Sequence, residues 1–122
     1  MLVLVAPGQG AQAPGFLAPW LELPSVVSRL SWLSAVSGLD LAHFGTEADA
    51  ETIRDTAVAQ PLLVAAGLAA ALELLPSSTS AFRTVGAVAG HSVGEITAAA
   101  WAGCLSVESA MVLVRERGKA MA

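Results

Sequence analysis

Short unbroken apolar runs alternate along this chain with segments of helical spacing, and that alternation predicts an α/β layout. Leu2-Val3-Leu4-Val5-Ala6 has the continuous apolar character of a strand covered on both faces in a parallel sheet. Val85-Gly86-Ala87-Val88-Ala89 reads as a second buried strand. Phe16 to Leu23 and Ser25 to Ser34 read as two short helices separated by Pro24, with Ser25 as an N-cap. Gly38 to Gly45 is turn-rich, and Asp40 is placed to cap a short helical turn. Ala48 to Arg54 carries acids early and Arg54 late, matching the dipole of a short surface helix. Leu62 to Leu75 is apolar nearly all round, which predicts a buried helix on the sheet. Ala59-Gln60-Pro61 opens it, with Pro61 at the first helical position and Gln60 either capping or lining a site. Pro76 to Ser80 is a polar surface loop. An alanine-rich helix runs from Val93 to Trp101-Ala102-Gly103, and Ser106 starts another. In that last helix Val107, Ala110, Met111, Val114, Gly118 and Met121 form one core stripe.

Composition changes this picture in one respect. A chain of 122 residues makes one domain at most, yet 55% of it is apolar and only 13% charged. So small a body has too much surface for that balance, so the chain is expected to associate or to be an amino-terminal portion of something larger. The net charge of −4 and six scattered basic residues exclude a nucleic-acid partner. Cys104 is alone, which excludes an internal disulfide and a cysteine metal cluster; a small buried side chain is expected. Trp20, Trp32 and His43 read as structural. Met1 to Ala6 lacks a basic leader and Leu62 to Leu75 is short of a membrane span, so the expectation is a soluble, cytoplasmic protein without membrane contact.

The candidate chemistry lies between the second strand and the helix after it, at Gly90-His91-Ser92-Val93-Gly94-Glu95. Gly-x-Ser-x-Gly at a strand-to-helix turn is the pattern of a nucleophile elbow, where the serine backbone is strained and flanking side chains would collide. Ser92 and Glu95 also spell a capping box, which needs no catalysis but explains neither glycine. Pro7-Gly8-Gln9-Gly10-Ala11-Gln12 follows the first strand, where open α/β sheets bind ligands. Gly8, Gly10 and Ala13 formally fit a dinucleotide fingerprint, but Pro14-Gly15 would not extend a helix and Arg29 stands where a ribose-binding acid is needed. The helix after Ser92 runs out about 15 Å and the next returns as far by position 117. Arg115 and Arg117 flank the core stripe on opposite sides, and periodicity does not choose between them. A serine nucleophile needs a base, and neither His91, pointing away from Ser92 at the strand end, nor His43 qualifies.

Four motifs in register, Pro7 to Gln12, Ala59-Gln60-Pro61, Gly90 to Glu95 and Arg117-Gly118-Lys119-Ala120-Met121, resemble the malonyl-CoA:acyl carrier protein transacylases. The acyltransferase domains of polyketide and fatty acid synthases share them. The resemblance spans the whole chain but only about the first two-fifths of such a protein. It implies a three-layer α/β/α fold with a parallel sheet and an α/β-hydrolase-like core, residues 1–122 forming the amino-terminal part of the large subdomain. It also implies that Ser92 takes malonyl from CoA as an ester and passes it to the phosphopantetheine thiol of acyl carrier protein, with no cofactor or metal. The N–H groups of Gln9 and Val93 would form the oxyanion hole, Arg117 would pair with the malonyl carboxylate, and Gln60 and His91 would lie near the substrate. The base is then a histidine in a ferredoxin-like subdomain absent from this chain, so the chain alone is expected to be little active. Arg115 and Trp101 depart from the pattern. A serine hydrolase with the same elbow and a non-catalytic carrier-protein docking module are the competing classes.

Overall fold

A computed structural model describes residues 1–122, side chains included except that of Ser78. The order is β1 (Leu2–Ala6), α1 (Pro24–Ser37), α2 (Leu41–Thr46), α3 (Thr56–Leu74), α4 (Ser78–Thr84), β2 (Val85–Gly90), α5 (Gly94–Trp101) and α6 (Val107–Met121). Single turns of tighter helix occur at Trp20–Glu22 and Thr52–Arg54. Both strands fall where the apolar runs placed them, and they pair in parallel, with Leu4 beside Val88 and Ala6 beside Gly90. Everything from α1 to α4 is therefore one long crossover between neighbouring strands.

The hydrophobic core lies among the helices rather than around the sheet. Leu30 and Leu33 of α1, Leu62, Val64 and Leu68 of α3, and Met111 and Val114 of α6 are buried together. The apolar circumference predicted for α3 is matched on three sides, by α6, α1 and α5, rather than by the sheet. Its close seat on α5 depends on Gly67, where a Cβ would stand 2.8 Å from Thr97 Cγ2. By length and composition α3 could span a membrane, since it starts at Thr56 rather than Leu62, but half of that stretch is packed inside the molecule. The strands are less covered than their composition suggested. Val5 is 68% exposed and Val3 and Leu2 about two-fifths, because the closest cover of the two-stranded sheet comes from the short helices α5 and α4.

Several local expectations give way to capping chemistry. Pro24 does not separate two helices but occupies the first turn of α1, where its missing N–H costs nothing. Ser25 is therefore inside the helix, and its hydroxyl donates to Glu73 of α3 at 2.6 Å instead of capping. Asp40 caps α2 as expected, accepting from the His43 N–H. The polar stretch after Pro76 is not all loop: Ser77 caps α4, accepting from the Ser80 N–H. Asp55 caps α3 through the Ala57 N–H, so Pro61 lies in the helix interior, where proline ordinarily costs about 3 kcal/mol. Trp20 and Trp32 are partly exposed rather than core, and Cys104 is exposed. Met121 also leaves the core stripe, at 56% exposed.

Candidate functional site

The turn between β2 and α5 is the most constrained backbone in the molecule. Ser92 has φ +54°, and it is the one non-glycine residue with positive φ among those described. L-residues with a β-carbon enter this left-handed region at an energetic cost, so surrounding structure must hold Ser92 there. The flanking glycines supply that hold. A Cβ on Gly90 would overlap the Gly94 carbonyl and the Glu95 N–H, so β2 and α5 touch directly. A Cβ on Gly94 would strike the carbonyls of Ala6 and Pro7 at the end of β1. The second clash is with the neighbouring strand, not with the turn's own helix. No side chain caps α5, so the capping-box alternative for Ser92 and Glu95 is not realised. The serine hydroxyl is left exposed at the carboxyl end of both strands.

The loop after β1 lies beside this turn. Gly8 is fitted against His91, whose Nδ1 would stand 2.7 Å from a Cβ there, and the His91 N–H donates to the Ala6 carbonyl at 3.1 Å. His91 thus holds the two loops together. Two glutamines pin the β1 loop to the start of α3 and the turn before it. Gln9 Nε2 donates to Thr56 Oγ1 at 3.1 Å and to the Arg54 carbonyl at 3.3 Å. Gln12 Nε2 donates to the Ile53 carbonyl at 3.1 Å, while its Oε1 accepts from the Gly10 N–H at 2.8 Å. Among the described residues, neither the Gln9 nor the Val93 backbone N–H donates to a protein acceptor.

Gln60, at 1% exposure, connects this loop to α6. Its Nε2 donates to Gln9 Oε1 at 3.4 Å and rests 3.6 Å from the Met121 sulfur. Its Oε1 accepts from Arg117 Nη1 at 2.7 Å, and Arg117 Nη2 reaches Ser92 Oγ at 3.5 Å. The geometry thus separates the two arginines that periodicity left equivalent. Arg117 faces the serine, whereas Arg115 Nη1 donates to the Ala57 carbonyl at 3.1 Å. The ion pairs among the described residues are Arg29–Glu73, His43–Glu47 and Lys119–Glu116, so Arg117 is held by neutral groups only. A half-buried guanidinium with no carboxylate, beside an exposed hydroxyl, is suited to receive an anionic group carried next to an electrophile.

Four of the sequence candidates, Gln9, Gln60, Ser92 and Arg117, thus form one connected chain of side chains. His91 packs away from it, against Gly8, and His43 lies on α2 near Glu47. Sequence reading missed Gln12 and Thr56 as anchors of the loop. The signal for Thr56 was available: Asp55 before a run of apolar and helix-forming residues is an N-cap, and it moves the start of α3 back past Gln60. No group of three or more His, Cys, Asp or Glu side chains suited to a metal occurs among the described residues.

A family model described as acyl transferase domain matches residues 3–122. The malonyl CoA-acyl carrier protein transacylase of Mycobacterium tuberculosis is 50% identical over 122 residues, all of this chain but 40% of that protein. The human mitochondrial malonyl-CoA-acyl carrier protein transacylase is 34% identical over 119 residues, 98% of this chain and 30% of that one. Among solved structures, the crystal structure of MCAT from Mycobacterium tuberculosis superposes with a TM-score of 0.90 at 48% identity, covering 99% of this chain and 40% of that chain. A holo type II PKS acyl-carrier protein in complex with its malonyl-transacylase gives a TM-score of 0.83 at 33% identity, covering 98% of this chain and 38% of that chain. The chain therefore spans about 40% of the length of this mycobacterial relative.

Proposed function

The chain belongs to the acyl transferase domain family, and we propose that it forms the amino-terminal part of the large α/β subdomain of a malonyl-CoA:acyl carrier protein transacylase. In this reading the turn at Ser92 is a nucleophile elbow. Ser92 Oγ attacks the thioester carbonyl of malonyl-CoA, the hydroxyl proton passes to a base, and as the Oγ–C bond forms the C=O π pair moves onto the carbonyl oxygen, giving a tetrahedral oxyanion. Collapse breaks the C–S bond, and CoA leaves as a thiol after taking the proton back. The reverse sequence, with the phosphopantetheine thiol of acyl carrier protein as nucleophile, frees Ser92 and carries malonyl away. The unpartnered N–H groups of Gln9 and Val93 suit the oxyanion of both intermediates. Arg117 binds the malonyl carboxylate with both prongs, giving up its long contact to Ser92, while Gln60 keeps the guanidinium plane oriented. The base is a histidine of a ferredoxin-like subdomain outside this chain. No cofactor or metal is required, and a cytoplasmic setting is the one this reading carries.

The observation that carries the proposal is Arg117, a cation without a carboxylate partner, 3.5 Å from the hydroxyl of the strained Ser92. Incubation of the chain with malonyl-CoA, followed by intact-mass and peptide mapping, tests it. The expected result is a slow gain of one malonyl group on Ser92, absent in Ser92→Ala and discharged by holo acyl carrier protein faster than by water. Discharge to water at an equal rate would favour a serine hydrolase, and no ester at all would favour a docking module.

A further inference from the structure

Arg115 is the cation that the proposed reaction leaves without a task, and the structure gives it a specific acceptor. Pro61 lies inside α3 and has no N–H to offer the carbonyl four residues back, which belongs to Ala57. Arg115 Nη1 donates to that same carbonyl at 3.1 Å, from the neighbouring helix. Between the two arginines, Gly118 lies flush on the same turn. A Cβ there would stand 3.0 Å from the Thr56 carbonyl, 3.3 Å from Ala57 Cα and 3.5 Å from Pro61 Cδ. On its other flank α6 sends Arg117 to Gln60, the residue immediately before the proline. Helix α6 thus grips the first turns of α3 at three points, and one of them, Arg115 on the Ala57 carbonyl, uses an acceptor that the proline at position 61 leaves without its helical donor.

We propose that Arg115 is a positioning residue: by supplying the donor that Pro61 withholds, it sets the register of α6 on α3 that brings Arg117 and Gln60 to 2.7 Å. Its functional consequence rests on the reading of Arg117 as the malonyl-carboxylate partner; the register itself does not. A carbonyl without its helical donor is partly exposed to a competing water, so loss of the guanidinium does not unfold the turn but frees it to shift. A sub-ångström shift at Ala57 moves Gln60 and hence the guanidinium plane of Arg117.

The test compares the parent chain with Arg115→Met, Arg115→Lys, Pro61→Ala and the Pro61→Ala/Arg115→Met double variant. Arg115→Met keeps the apolar stem and removes the donor; Pro61→Ala returns an N–H to the Ala57 carbonyl and makes Arg115 dispensable. The readouts are the Gln60 side-chain amide and Arg117 Nε–H signals in nitrogen-15 spectra, and the rates of Ser92 acylation by malonyl-CoA and acetyl-CoA. Arg115→Met should displace both signals and lower the malonyl rate about tenfold while sparing the acetyl rate, since misplaced binding groups cost at least that much. Arg115→Lys should restore them in part. In the Pro61→Ala background, Arg115→Met should change neither signal. Equal displacement in both backgrounds, or none in either, overturns the proposal. Should Arg115→Met lose its dispersed spectrum, the double variant must regain it, and a double variant equally disordered also overturns the proposal. If the parent chain takes no malonyl group, the transacylase reading fails while the spectra still decide the role of Arg115.

Discussion

Ser92 illustrates how little of a strained residue's situation is its own. Its φ of +54° is maintained by neighbours without side chains, Gly90 against α5 and Gly94 against the end of β1. Gly94→Ala should therefore be among the most damaging single-methyl additions in the chain. The carbonyls it meets are backbone on a second element and have nowhere to go. A loss of about 3 kcal/mol is expected, read as a lower midpoint in urea unfolding. Arg117→Ala tests chemistry rather than packing. Charge-assisted hydrogen bonds contribute about 1.5–3 kcal/mol, so the malonyl-to-acetyl ratio of Ser92 acylation should fall roughly 10- to 100-fold. An unchanged ratio would remove Arg117 from the site. Arg117→Lys should recover only part of the ratio, since an ammonium cannot hold Gln60 and a carboxylate in one plane.

At the scale of elements, α1 and α3 are tied by a polar clasp on the edge of the core. Glu73 accepts from the Ser25 hydroxyl at 2.6 Å and from Arg29 at 2.7 Å. The Ser25 hydrogen bond first, then Arg29, holds the Glu73 carboxyl below its ordinary value of 4.5. A carboxylate with a depressed folded value adds stability above its unfolded pKa and loses it as pH falls through the folded one. The chain should therefore become easier to unfold with urea as pH drops below about 4.5. Glu73→Gln should flatten part of that acid dependence while costing little at neutral pH, because the clasp is solvent-screened. An acid limb of the same steepness in Glu73→Gln would rule the clasp out as its source. Element existence was largely readable from pattern: both strands, the apolar α3 and the Ser106 restart lie where periodicity put them. Starts were not, because Pro24 and Pro61 carry the same chemistry yet one opens a helix and the other sits inside one. The difference at Pro61 is Asp55 as cap and Arg115 as substitute donor, and the latter is 58 residues in sequence from Ala57, whose carbonyl it serves.

The whole molecule exposes 6299 Å², close to the roughly 6,100 Å² expected of a compact chain of this mass. Its apolar excess is thus a matter of which atoms face water, not of how much surface there is. Several of the exposed apolar side chains, Leu2, Val3, Val5, Leu72 and Phe82 among them, lie on or beside the sheet. Between β1, β2, α3 and α4 runs an open groove of about 470 Å³, lined by Leu4, Leu72, Leu75, Phe82, Val88 and Trp101. Phe82 is 74% exposed at its rim, and Val5, 68% exposed on β1, lines a second apolar cleft with Trp20 and Leu74. Such a patch should make the isolated chain associate as its concentration rises. Sedimentation velocity should show this, and a Val5→Thr/Phe82→Ser pair should reduce it; sedimentation as a monomer throughout would mean that the groove closes in solution.

The apolar strands, the glycine-flanked serine between strand and helix, and four motifs whose spacing resembles one family are legible in the residues alone, because each depends on residue types a few positions apart. Which arginine faces Ser92 is settled by packing, since helical periodicity places Arg115 and Arg117 symmetrically about the buried stripe. Tertiary structure likewise decided that Gln60 orients a cation instead of capping a helix, that His91 braces Gly8, and that the core lies among helices. These outcomes depend on contacts between segments 25 or more residues apart, such as Arg117 with Ser92 and Gln9 with Gln60, and no local pattern encodes where two distant surfaces meet.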